Sequence, residues 1–292
     1  MWPTGAVQQG LRSYPVLCHA ETRGKEVMMS ALPSHPDRLP LGRVADEFAL
    51  TTILLFLAVT VVRWLRDPDS PLYIADLEVA VAVIGVVSGI ILTGLILSPP
   101  GKRSGGHMNP AVTVALWLMD AFPGRSVLPY ATAQLAGSAA GTGLARLVWG
   151  PVVSHASINH AALRPAPTWQ PASVFLAEAG SMMLLILLVG FILAYPRYIR
   201  LVPYVIGASV AVVIAFLGTL SGGSINPARQ FGPAAISGQT LDLWIYLIVP
   251  VLGATIGAAI YHLFIWRFNA CRPLTYKLAG NHGSDDTMAS PH

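Results

Sequence analysis

The chain has 292 residues, 54% of them hydrophobic and only 11% charged, where soluble domains carry roughly a quarter. That balance points to a membrane protein rather than a water-soluble one. The formal net charge of +4 is small and dispersed, which argues against a nucleic-acid partner, and Cys18 and Cys271 sit in polar end segments where they build neither a disulfide framework nor a metal site.

Residues 1–44 are polar, proline-containing and free of any apolar run. They read as a disordered tail, without the apolar core of a signal peptide. Met28 and Met29 are alternative starts. From Ala45 the character changes. A spanning helix takes about 20 mostly apolar residues, and six such stretches follow: 46–65, 77–98, 127–149, 173–194, 203–220 and 242–265. Two further apolar pieces, 110–120 and 227–237, are too short to span. Short segments at matching places in two halves point to half-helices meeting inside the membrane. The expected organisation is a first repeat over 45–150, a connecting loop at 151–172, a second repeat over 173–268 and a polar tail at 269–292.

The repeat is visible in residues. Ser104-Gly105-Gly106-His107-Met108-Asn109-Pro110-Ala111 matches Ser221-Gly222-Gly223-Ser224-Ile225-Asn226-Pro227-Ala228. Glu47 matches Glu178, Gly85 matches Gly207, and the pair Gly137/Gly141 matches Gly253/Gly257. The first half is longer by an insertion assigned to the Ser98–Arg103 turn. Three spans per repeat is odd, so the second copy is inverted. The fold class is therefore all-α integral membrane, with six transmembrane helices plus two re-entrant half-helices in an inverted 3+3 repeat. Arg12, Arg23, Lys25, Arg38 and Arg43, then Lys102, Arg103, Arg197, Arg200, Arg267, Arg272 and Lys277, all fall on one side of that topology. Positive charge marks the cytoplasmic face, so both termini are expected there.

One Asn-Pro-Ala alone reads as an ordinary helix start, with Asn as the cap and Pro first in the helix. Two copies, each opening a short apolar helix, are far more specific. On these motifs the chain resembles the major intrinsic protein (aquaporin) family over residues 45–268. The residues make physical sense without the name. Glycines let a non-helical backbone bend at membrane depth. Each half-helix N-terminus carries about half a positive charge, and two such ends meeting repel cations. The amides of Asn109 and Asn226 can each donate to a passing oxygen, which turns a water out of proton-relay geometry.

Arg229 stands directly after the second motif, and an arginine inside a membrane segment is a functional candidate. The resemblance implies that it lines the outer constriction with Ile84, Ile214 and Gly223. Two isoleucines and a glycine imply a wider, more apolar filter than a water-only one. Other markers divide: Gln230 fits neither water nor glycerol channels, Ala234 and Tyr246 are water-like, and Leu247 is glycerol-like. The resemblance also implies structural carboxylates at Glu47 and Glu178, a pore-lining His107 and a homotetramer.

The reading is a passive channel for water and small neutral solutes such as glycerol, embedded in membrane lipid, with no metal, no cofactor and no catalytic residues. The alternatives are a metalloid or polyol facilitator with little water flux and a non-conducting structural protein. No nucleophile–base pair or phosphate loop supports an enzyme.

Overall fold

A backbone in hydrocarbon must satisfy its own N–H and C=O groups, and within one segment only a helix does so. The described residues of this computed structural model, 41–268, accordingly form helices and short 3-10 turns, with no strand among them. In chain order they are α1 (Leu41–Arg66), α2 (Leu77–Leu97), α3 (Pro99–Ser104), α4 (Pro110–Leu118), α5 (Val127–Trp149), α6 (Pro171–Leu193), α7 (Val202–Leu217), α8 (Pro227–Ser237) and α9 (Leu243–Phe268). The tails expected before Leu41 and after Phe268 lie outside the described residues. α1 begins four residues before the expected limit at Ala45.

Six spans were expected, and five helical segments among the described residues are long and apolar enough to cross a membrane: α1, α2, α6, α7 together with the 3-10 turn before it (Arg197–Leu217), and α9. α5 has 23 residues but is more polar, because Gln134, Ser138 and Thr142 lie along it. All three are fully buried. Their polar groups face the protein interior, so hydrophobicity of the whole segment underestimates the apolar surface that α5 presents outward.

The helices pair as an inverted repeat requires. α1 packs on α5, α6 packs on α9, and α2 packs on α7 across the middle. The half-helices are exchanged: α4 of the first repeat packs on α9 of the second, and α8 packs on α5. α4 ends beside His262, whose Nε2 bonds the Leu118 carbonyl near the end of α9. α8 ends with Ile236 close to Gly143, late in α5. α5 and α9 run in opposite directions, so the half-helices enter from opposite faces and their N-termini meet.

Close backbone approach fixes the pairs. A Cβ on Gly137 would stand 2.5 Å from the Phe48 carbonyl, and one on Gly207 would stand 2.5 Å from the Gly89 carbonyl. Small residues at membrane helix interfaces permit this contact, and dispersion across it supplies the association that hydrophobicity cannot supply in lipid.

The insertion expected as a turn at Ser98–Arg103 is a short helix, α3. The Ser98 hydroxyl accepts from Gly101 N–H at 3.2 Å, and Pro99 and Pro100 fill the first positions, where no N–H is needed. Arg103 makes a bidentate pair with Asp46 of α1, at 2.7 and 3.0 Å. That hydrogen-bonded carboxylate raises the Arg103 guanidinium above its ordinary pKa. Arg103 is largely exposed, so water and salt screen the pair and it adds little to stability.

Gly137→Val should sharply reduce folded protein recovered in detergent, because the added atoms meet backbone. Gly143→Ala should be tolerated, since its nearest neighbour would lie 3.7 Å away. Size-exclusion yield and thermal midpoint check both, and equal behaviour of the two variants would contradict the packing argument.

Candidate functional site

The two motif segments carry the same backbone conformation. Positive φ occurs at Gly105, Gly106 and Met108 in the first, and at Gly222, Gly223 and Ile225 in the second. The glycines adopt it freely, whereas Met108 and Ile225 are strained and persist only because their surroundings hold them.

Two carboxylates do that holding. Glu47 of α1 accepts from Ser104 Oγ at 2.7 Å, His107 N–H at 2.9 Å, Met108 N–H at 2.7 Å and Gln134 Nε2 at 2.7 Å. Glu178 of α6 accepts from Ser221 Oγ at 2.9 Å, Ser224 N–H at 3.1 Å and Ile225 N–H at 2.7 Å. Each serine hydroxyl in turn accepts from the second glycine of its motif, Gly106 or Gly223, at 3.1 Å. Each serine carbonyl accepts from a buried tyrosine hydroxyl, Tyr130 or Tyr246. A carboxylate has lone pairs for about four donors. At Glu47 every one of those bonds is supplied by protein, which leaves no vacant acceptor for acid–base work.

Asn109 and Asn226 tie the two segments together. Asn109 Oδ1 caps α4 by accepting from Ala111 N–H at 2.9 Å, and its Nδ2 donates to the Ile225 carbonyl at 3.0 Å. Asn226 Oδ1 caps α8 through Ala228 N–H at 2.9 Å, and its Nδ2 donates to the Met108 carbonyl at 2.9 Å. Each amide has two N–H groups, so one remains for a solute oxygen. The carbonyls of Gly105, Gly106 and His107, and of Gly222, Gly223 and Ser224, accept no hydrogen bond from the described residues. These are the acceptors that a polar solute needs.

Ile84 of α2, Ile214 of α7, Gly223 and Arg229 line one cavity of about 160 Å³. Ala161, Ala162 and Leu163 of the connecting loop complete it. Arg229 Nη1 donates to the Ala161 carbonyl at 2.8 Å. That carbonyl is presented by a left-handed turn, with φ of 42° at Asn159, 54° at His160 and 60° at Ala161. The His160 ring is buried against Ser154 Oγ, and burial together with Arg146 lowers its pKa below the ordinary histidine value.

His107 lies elsewhere. Its ring forms a three-ring cluster with Phe122 and Tyr130, its Nδ1 pairs with Thr113 Oγ1 at 3.0 Å, and its buried Nε2 has no hydrogen-bond partner among the described residues. It is not among the residues of the Arg229 cavity. Gln230, which matched no marker in the sequence, clamps the loop: its Oε1 accepts from Leu163 N–H at 2.9 Å and its Nε2 donates to the Leu163 carbonyl at 3.1 Å. Sequence reading missed Gln134, Tyr130 and the Ala161–Leu163 strand of carbonyls. Tyr130 could have been found, since it stands at the repeat position of Tyr246. The loop could not, because it has no repeat partner.

Two re-entrant segments, crossed by amide bonds and set beside a cavity lined by Arg66 and Arg229, define a membrane channel of inverted-repeat architecture. The sequence profile of the family described as "Major intrinsic protein" matches residues 38–261. The chain is 33% identical over 267 residues to the propanediol uptake facilitator PduF of Citrobacter freundii, covering 80% of this chain and 95% of that protein. It is 37% identical over 188 residues to the probable aquaporin AqpM of Archaeoglobus fulgidus, covering 61% and 74%. The fold is that of the aquaglyceroporin from Plasmodium falciparum, with a TM-score of 0.68 at 21% identity over 78% of this chain and 98% of that one. The chain belongs to the major intrinsic protein family, and it is a membrane channel.

Glu47→Gln replaces an acceptor with a donor against backbone N–H groups. Hydrogen bonds to a charged group are worth about 1.5–3 kcal/mol each, so losing one or two should clearly lower the thermal midpoint in detergent. An unchanged midpoint would sink the assignment of Glu47 as the anchor of the first segment.

Proposed function

We propose that the channel is passive and carries water and small uncharged solutes such as glycerol, while excluding ions and protons. The observation that carries this reading is the cavity shared by Ile84, Ile214, Gly223 and Arg229. Its isoleucines, Ile84, Ile158 and Ile214, offer an apolar wall to a carbon backbone. Arg229 and the unpaired loop carbonyls offer donors and acceptors to hydroxyl groups on the other side. A polyol presents these two faces, and the similarity to a protein named propanediol uptake facilitator supports the same class of cargo.

Exclusion follows from electrostatics. The half-helix N-termini meet beside Asn109 and Asn226, and each carries about half a positive charge. With Arg229 at the outer constriction, a cation meets positive potential both there and where the half-helices meet. A water held by the free N–H groups of Asn109 and Asn226 directs its own hydrogens away from a relay chain. His107 serves this reading as a buried brace for the first segment rather than as a filter residue.

The domain limits, the orientation and the assembly belong to the same proposal. Repeats over 45–150 and 173–268 joined by a loop at 151–172, both termini cytoplasmic, and a homotetramer in membrane lipid are consistent with the basic residues Lys102, Arg103, Arg197 and Arg200 at one end of the bundle. The isoleucine wall also favours a second reading, a polyol or metalloid-hydroxide facilitator with little water flux, because isoleucine offers water no hydrogen bond.

Stopped-flow light scattering on proteoliposomes tests these readings with wild type and Ile214→His. Wild type should pass both glycerol and water, and the histidine variant should lose glycerol by about tenfold while keeping water. Each tenfold corresponds to about 1.4 kcal/mol of barrier. Water flux alone in wild type would overturn the wide filter. Glycerol flux with little water would select the facilitator reading, and no flux of either would favour the structural one.

A further inference from the structure

The two halves match closely in their loops, yet the half-helices differ in a way that bears on Arg229. In a regular helix the Ala228 carbonyl would accept from the Gly232 N–H four residues on. Here the Ser138 hydroxyl of α5 engages both: it donates to the Ala228 carbonyl and accepts from Gly232 N–H, the latter at 2.9 Å. The next pair fails as well, because position 233 is proline and has no N–H to give the Arg229 carbonyl. Two adjacent links of α8 are thus altered, immediately after Arg229.

Gly232 makes the contact possible, since a Cβ there would stand 2.5 Å from Ser138 Oγ. The first half has none of this. Ala254 occupies the repeat position of Ser138, Ala115 that of Gly232 and Leu116 that of Pro233. Ala115 and Ala254 lie together in a purely apolar buried cluster. The serine bridge therefore occurs only in the half that carries the arginine.

We propose that Ser138 is a positioning residue for Arg229 and so sets the solute size that the filter accepts. The first turn of α8, Asn226–Arg229, has Ser138 bound at both ends of its Ala228–Gly232 link and lacks the next link at Pro233. Its place is fixed instead by three bonds from outside: Asn226 Nδ2 to the Met108 carbonyl, Arg229 Nη1 to the Ala161 carbonyl, and Ser138 to the Ala228 carbonyl next to Arg229. A side chain inserted into a helix ladder displaces the backbone around it. Without the hydroxyl, the bridge to Ala228 and Gly232 is lost, the turn shifts, and Arg229 loses one of the restraints that hold it against the isoleucine wall. Discrimination among polyols of increasing length weakens.

This inference rests on the polyol-channel reading above, and the test separates the two. Proteoliposomes with wild type, Ser138→Ala, Ser138→Thr and Thr142→Ala are compared for flux of water, a three-carbon polyol and a four-carbon polyol. Thr142 only bonds the Ser138 carbonyl within its own helix, so its variant controls for loss of a buried hydroxyl. Ser138→Ala should raise the four-carbon to three-carbon flux ratio about threefold, Ser138→Thr should return it towards wild type, and Thr142→Ala should leave it unchanged. A ratio in Ser138→Ala equal to wild type, in a wild type that passes polyols, overturns the positioning role. A wild type that passes no polyol overturns the underlying reading instead. Should the alanine variant fold poorly, Ser138→Cys, which replaces the hydroxyl with a weak donor and acceptor, is compared in its place, and the same ratio decides.

Discussion

Every feature of the pore depends on how a non-helical backbone survives in the middle of a membrane. Unpaired N–H groups there have no water to turn to, and each costs several kcal/mol in hydrocarbon. The chain answers with one buried carboxylate per half. Glu47 and Glu178 gather N–H groups that the strained Met108 and Ile225 conformations leave over. With those donors held by carboxylates, the carbonyls of His107 and Ser224, and of the glycines before them, are free to face a solute. The pore's row of acceptors is thus a consequence of where the donors go.

The same economy governs the asparagines. Each uses its oxygen to cap its own half-helix and one N–H to hold the opposite segment, which fixes the direction of the remaining N–H. Neither residue could do this alone. The Asn109 amide is placed by Ile225 of the other half, and the Asn226 amide by Met108. Inversion of the repeat is what makes the two bonds mutual.

Symmetry ends at the outer filter. Arg229 has no counterpart in the first half, where Val112 stands at its repeat position. The supports around it are equally unrepeated: the left-handed turn of the connecting loop, the Gln230 clamp on Leu163, and Ser138 in α5. A doubled scaffold supplies the passage, and residues that occur once surround Arg229.

The amino-acid sequence determined the architecture because each constraint is local or repeated. Apolar length marks a span, Asn-Pro marks a helix start, and two copies of Ser-Gly-Gly-x-x-Asn-Pro-Ala state the inversion. Arg229, Ile84 and Ile214 were also legible by counting from those motifs, and they do share one cavity. α5 was harder to weigh, since its polar residues are explained only by partners in other helices. The tertiary structure alone decided what crosses between distant segments: which carbonyl each asparagine amide holds, that His107 clusters with Phe122 and Tyr130 outside the Arg229 cavity, and that the loop carbonyl of Ala161 fixes Arg229. The reason is geometric. Hydrogen bonds join residues more than 60 positions apart here, as between Arg229 and Ala161, and no periodicity or motif encodes which of many carbonyls a side chain will meet once the helices have packed.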